Sequence, residues 1–108
     1  MTTSLILHTT RSDDATLVLT ASGEIDLSNI ESFNEALTAA ASQAASGGAR
    51  LTVDLTAVEY LDSAAINALY KLADHIHLIA NPLLMRCLTV SGLAELVTIE
   101  APPPIAPH

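Results

Sequence analysis

A chain of 108 residues fits one domain and leaves no room for a second. Half of the residues are apolar and only 15% are charged, which excludes disorder over most of the length and predicts a packed, soluble unit. The formal net charge is −8 and the four basic residues, Arg11, Arg50, Lys71 and Arg86, are scattered, so direct nucleic-acid binding is not expected.

Phe33, Tyr60 and Tyr70 are the only aromatic side chains, too few to stack a base or a flavin. Cys87 is the single cysteine, which excludes an intrachain disulfide and a cysteine metal cluster and reads as a small hydrophobe on a helix. Met1–Leu7 lacks the basic start and long apolar run of a signal peptide. No stretch reaches ~18 apolar residues, so no membrane insertion is expected and the localisation expected is cytoplasmic.

In chain order, Leu5-Ile6-Leu7 predicts a short edge strand, followed by a hairpin loop from Thr9 to Ala15 around Asp13-Asp14. Thr16 to Ala21 alternates with period two and predicts a second strand. Gly23-Glu24-Ile25-Asp26-Leu27 leads into Ser28 and Glu31, the spacing of a capping box. Ile30, Phe33, Leu37, Ala41 and Ala44 then share a helical stripe, ended near Ser46 by Gly47-Gly48. Leu51, Val53 and Leu55 alternate as a strand, with a turn expected over Thr56–Tyr60.

Asp62 or Ser63 is the N-cap expected for a second helix, running from Ala64 through Leu72 and ending near Ala73, with Asp74-His75 as a tight connection. Ile76–Ile79 predicts a short buried strand, and Asn81-Pro82 starts a third helix that Gly92 stops. Val97–Ile99 predicts a last strand. Ala101–His108, with its four prolines, is expected to be a tail. This order predicts an α/β fold: a mixed sheet with an antiparallel start, then parallel strands with crossover helices packed mainly on one face.

Catalytic constellations are poorly represented. Ser63 lies in no Gly-x-Ser-x-Gly elbow, and no glycine loop suits a phosphate. His75 and His77 are expected to share one face of a strand, but with no third ligand evident a metal site is not expected. In open α/β sheets functional groups gather where strands end and helices begin. Asp26 and Asp62-Ser63 stand at two such places. A phosphoserine is well tolerated at a helix start, where free amides and the positive end of the dipole face it.

Gly23-Glu24-Ile25-Asp26, the stretch from Asp54 to Ser63 (DLTAVEYLDS) and Val90-Ser91-Gly92-Leu93 resemble, in order, three landmarks of the STAS domain. The resemblance runs from about Leu5 to Ile99, implying a STAS domain over 1–100 and a tail over 101–108. Within the family the chain is most similar to bacterial anti-sigma factor antagonists. That resemblance implies a protein, not an enzyme, that binds an anti-sigma factor, a histidine-kinase-like ATPase, and so frees a sigma factor. The partner phosphorylates the serine after the motif aspartate, here Ser63, and a PP2C-type phosphatase reverses it. The implied binding surface comprises Asp26, Ser28, Asp62, Ser63, Ala64 and Asn67; ATP belongs to the partner, so no cofactor is expected.

The family commonly continues this motif with a second Ser or Thr and then Gly, where this chain has Ala64 and Ala65. The added Cβ of Ala65 is expected to obstruct an approaching kinase. The alternative function is a non-phosphorylated STAS subunit of a transporter or of a stressosome-like scaffold.

Overall fold

A computed structural model describes residues 4–11 and 16–101; of the loop expected from Thr9 to Ala15, Thr9, Thr10 and Arg11 instead continue the first strand, while residues 12–15 and the segment from Pro102 onward lie outside the described residues. Leu5–Arg11 (β1) and Leu17–Ile25 (β2) pair antiparallel, with Leu7 opposite Ala21. Then follow Ile30–Ser46 (α1), Leu51–Leu61 (β3), Ser63–Lys71 (α2), a 3-10 turn over Ala73–His75, Ile76–Ala80 (β4), Pro82–Val90 (α3), Leu93–Leu96 (α4) and Ile99–Glu100 (β5).

The sheet order is β1-β2-β3-β4-β5, and every pair after the first is parallel. Each crossover therefore steps the same way across the sheet. Right-handed connections then place the helices on one face. Burial follows this arrangement. Leu19, Ile25, Val53, Leu55, Leu78 and Ala80 meet Phe33, Leu37, Leu69 and Leu88 in a single core. Phe33 is the one large ring inside it and is fully buried, a burial that contributes about 1.5–3 kcal/mol.

The turn expected over Thr56–Tyr60 is not a turn. β3 runs on to Leu61, but its buried positions change from Leu51, Val53 and Leu55 to Leu55, Val58 and Leu61. Two register shifts against β2 explain this: Thr20 and Ser22 face Asp54 and Ala57, and Gly23 and Glu24 face Val58 and Tyr60. Each adds one residue to β3, a bulge that breaks the period-two signal. Side chains hold the irregular part. Asp54 accepts from the Thr56 amide at 2.9 Å, and Asn81 Nδ2 donates to the Thr56 and Val58 carbonyls, each at 2.8 Å.

Gly23 has a structural reason to be glycine. Its φ is +106°, and a Cβ there would lie 2.3 Å from the Ser4 carbonyl oxygen. The close approach lets the Glu24 amide donate to that oxygen at 3.1 Å and ties the start of β1 to the end of β2.

The capping box expected at α1 does not form. Asn29 is the N-cap and supplies no side-chain cap bond. The helix thus takes its cap one residue later than a Ser28 cap requires, and Ser28 Oγ donates to Asp26 Oδ1 at 2.5 Å, a charge-assisted bond within the preceding loop. The end of α1 at Gly47 and the Asn81 cap of α3, with Pro82 first in the helix, match the sequence. Gly92 adopts φ +85° after the α3 C-cap Ser91. The last strand lies slightly later than Val97–Ile99, at Ile99–Glu100, beside Leu78 and Ile79.

Candidate functional site

β2 and β3 are parallel neighbours, so their C-terminal ends emerge side by side. Ile25 pairs with Leu61, and the Asp62 amide donates to the Ile25 carbonyl at 3.1 Å. Asp26 and Asp62 each follow a strand by one residue and therefore stand at one edge of the sheet. The sequence separates them widely; the parallel register brings them together.

The two aspartates do different work. Asp62 is the N-cap of α2: its backbone is extended and its Oδ1 accepts from the Ala65 amide at 3.1 Å. Ser63 is thus the first helical residue rather than the cap. It is exposed, and the cap bond is made by its neighbour. Asn67 is exposed one turn further along α2, and Ala64 is half-buried. Asp26 folds its own loop. Its Oδ1 accepts from the Ser28 amide at 2.9 Å and from the Ser28 hydroxyl, while Asn29 Oδ1 accepts from the Asp26 amide at 3.0 Å. Asn29 Nδ2 donates back to the Glu24 carbonyl at 2.9 Å.

Ala65 does not obstruct anything outside. It is 0% exposed, so its methyl lies in the core beneath α2 and not on the surface that an approaching protein would meet.

The histidines are placed elsewhere. His75 ends the 3-10 turn before β4, and His77 lies on β4, so the two do not share a strand face as expected. Both lie toward the N-terminal end of β4, whereas Ser63 follows the C-terminal end of β3; in parallel strands these are opposite ends of the sheet. His77 Nε2 lies 3.5 Å from Glu100 Oε2. Among the described residues no three His, Cys, Asp or Glu side chains come together as a metal site. No helix among them is long and apolar enough to cross a membrane.

Sequence reasoning missed the tie made by Asn29 and the exposure of Leu27. Leu27 is 78% exposed at the tip of the Asp26 loop. The spacing of Asp26 and Asn29, two residues that bond local backbone readily, is the signal that points to a tied loop there.

The family model for the domain described as "Mlab, STAS domain" matches residues 8–98, and the chain belongs to the STAS domain family. No curated protein matches it closely in sequence. Among solved structures, an anti-sigma factor antagonist from Mycobacterium paratuberculosis is 23% identical with a TM-score of 0.79, over 90% of this chain and 86% of that one. The anti-sigma factor antagonist SpoIIAA in its unphosphorylated form is 14% identical with a TM-score of 0.68, over 91% and 89%. Both likenesses are of fold, over nearly the whole length of each chain.

Proposed function

We propose that this chain is an anti-sigma factor antagonist, working in the cytoplasm and switched by phosphorylation at Ser63. In this reading 1–100 form the binding domain and 101–108 a tail. Asp26, Ser28, Asp62, Ser63, Ala64 and Asn67 form the surface that meets a histidine-kinase-like anti-sigma factor. That partner brings the ATP and transfers its γ-phosphoryl group to the Ser63 hydroxyl, and a PP2C-type phosphatase restores the serine. The observation that carries the proposal is the division of labour at α2: Asp62 makes the cap, leaving the Ser63 hydroxyl exposed. The burial of Ala65 supports it further, since the departure from the family's glycine sits in the core.

The phosphate adds about −1.5 to −2 charges at neutral pH. At a helix start the dipole offsets part of this, by about 0.3–1 kcal/mol, so the fold persists. An interface closing over the same strand ends meets an unpaired dianion beside Asp62, and such charge weakens association strongly.

The test offers purified kinase-like anti-sigma factors from the same cell, with ATP, to wild type and to Ser63→Ala, and maps the phosphate by mass spectrometry. Phosphate on Ser63 of wild type and none on Ser63→Ala is the expected result. Equal incorporation into both would place the modification elsewhere. A second reading, a STAS subunit of a transporter or stressosome-like scaffold that binds without phosphorylation, is favoured by Ala64 standing where the family has another hydroxyl. It gains ground if no kinase modifies Ser63 while Asp26→Ala still abolishes binding to a captured transporter or scaffold subunit.

A further inference from the structure

The loop after β2 holds a leucine out in water. Leu27 is 78% exposed although its neighbours are tightly tied: Asp26 to the Ser28 amide and hydroxyl, Asn29 to the Asp26 amide and the Glu24 carbonyl. A single exposed leucine is ordinary on a protein surface. This one differs in its support and in its place. Side chains bond the loop on both flanks, so little freedom is lost when its tip is covered. Leu27 also lies two residues past Ile25, and Ser63 two residues past Leu61, its partner in the sheet.

We infer that Leu27 is the apolar anchor of the switch surface, inserted into an apolar pocket of the anti-sigma factor; this rests on the antagonist proposal above. A second copy of this chain does not fit as the occupant. Glu24, Asp26, Glu31 and Asp62 border the same end of the sheet, and two such ends brought together repel. The partner is therefore a different protein whose pocket rim is not acidic. The anchor also explains how one phosphate acts. A pocket closing on Leu27 strips water from the adjoining strand end, and a dianion on Ser63 resists that desolvation when the rim carries no cation to pair with it.

The test titrates the same purified anti-sigma factors by calorimetry with wild type, Leu27→Ala, Leu27→Met and Ser63→Glu, each checked by thermal melting. Leu27→Ala is expected to weaken binding by about ten- to a hundred-fold. Leu27→Met, similar in volume, is expected to stay within about three-fold. Both variants should melt within a few degrees of wild type, since the side chain is in solvent. If Leu27→Ala binds like wild type while Ser63→Glu does not, the anchor is wrong and the antagonist proposal stands. If both leucine variants melt far below wild type, Leu27 is structural and the anchor is equally wrong. If wild type binds none of the proteins, the antagonist proposal falls and the anchor falls with it.

Discussion

Two short segments at one edge of the sheet pair an aspartate with a serine, and they leave their hydroxyls in opposite conditions. After β2, Asp26 turns back on Ser28 and takes both its amide and its hydroxyl. After β3, Asp62 points forward and caps α2 through the Ala65 amide, so the Ser63 hydroxyl stays outside the cap. Residue type and exposure are alike in the two places. What differs is which group the aspartate has within reach: in the first a serine two residues on, in the second a free helix amide three residues on. The Ser63 side chain is thus left out of the bond that its neighbour's carboxylate makes, whereas the Ser28 hydroxyl is taken up by Asp26.

The largest effect on the comparison comes from the backbone that aligns the two segments. Gly23→Ala brings a Cβ within 2.3 Å of the Ser4 carbonyl oxygen and requires φ +106° of an alanine. Such a conformation alone costs about 1–3 kcal/mol, and the overlap adds to it. Thermal or urea unfolding should show the loss, and an unchanged midpoint would mean that both the backbone at Gly23 and the start of β1 rearrange without cost.

Asp62→Ala sharpens the comparison from the other side. Removing the cap should destabilise the protein by about 1 kcal/mol, with Asp62→Ser recovering most of it. Full stability in Asp62→Ala would show that Ser63 takes over the cap, and the division of labour would be wrong. Asp26→Ala should lower affinity for the anti-sigma factor about ten-fold, which is 1.4 kcal/mol, with a smaller change in melting temperature than Asp62→Ala. Smallest is Ser28→Ala: an exposed bond is lost, and stability should move by no more than about 0.5 kcal/mol. A larger shift would mean that the loop depends on that hydroxyl rather than on Asn29.

Much of the fold was legible because periodicity and caps are local. The stripe through Phe33, Leu37, Ala41 and Ala44 and the Asn81-Pro82 start appear in the structure as read. The sequence of β3 reads as a strand and a turn because two bulges shift its inward positions to Leu55, Val58 and Leu61. A bulge is held by bonds such as those from Asn81 Nδ2, a residue distant in sequence. The capping box does not form for a related reason: Ser28 and Glu31 have the right spacing, but Asp26 and Asn29 tie the preceding loop and the helix takes Asn29 as its N-cap. The positions of Asp26, Asp62 and Ser63 were named from the sequence. That the two strand ends adjoin needed the parallel register.

The central claim is that a phosphate on Ser63 changes what the protein binds and leaves its fold intact. It is tested most directly by measuring the affinity of one anti-sigma factor for unmodified and for stoichiometrically phosphorylated protein, with melting curves of both. The expected result is a loss of affinity of about a hundred-fold or more, close to 2.8 kcal/mol, with melting temperatures a few degrees apart. Equal affinity for the two forms, or unfolding of the phosphorylated one, would contradict it.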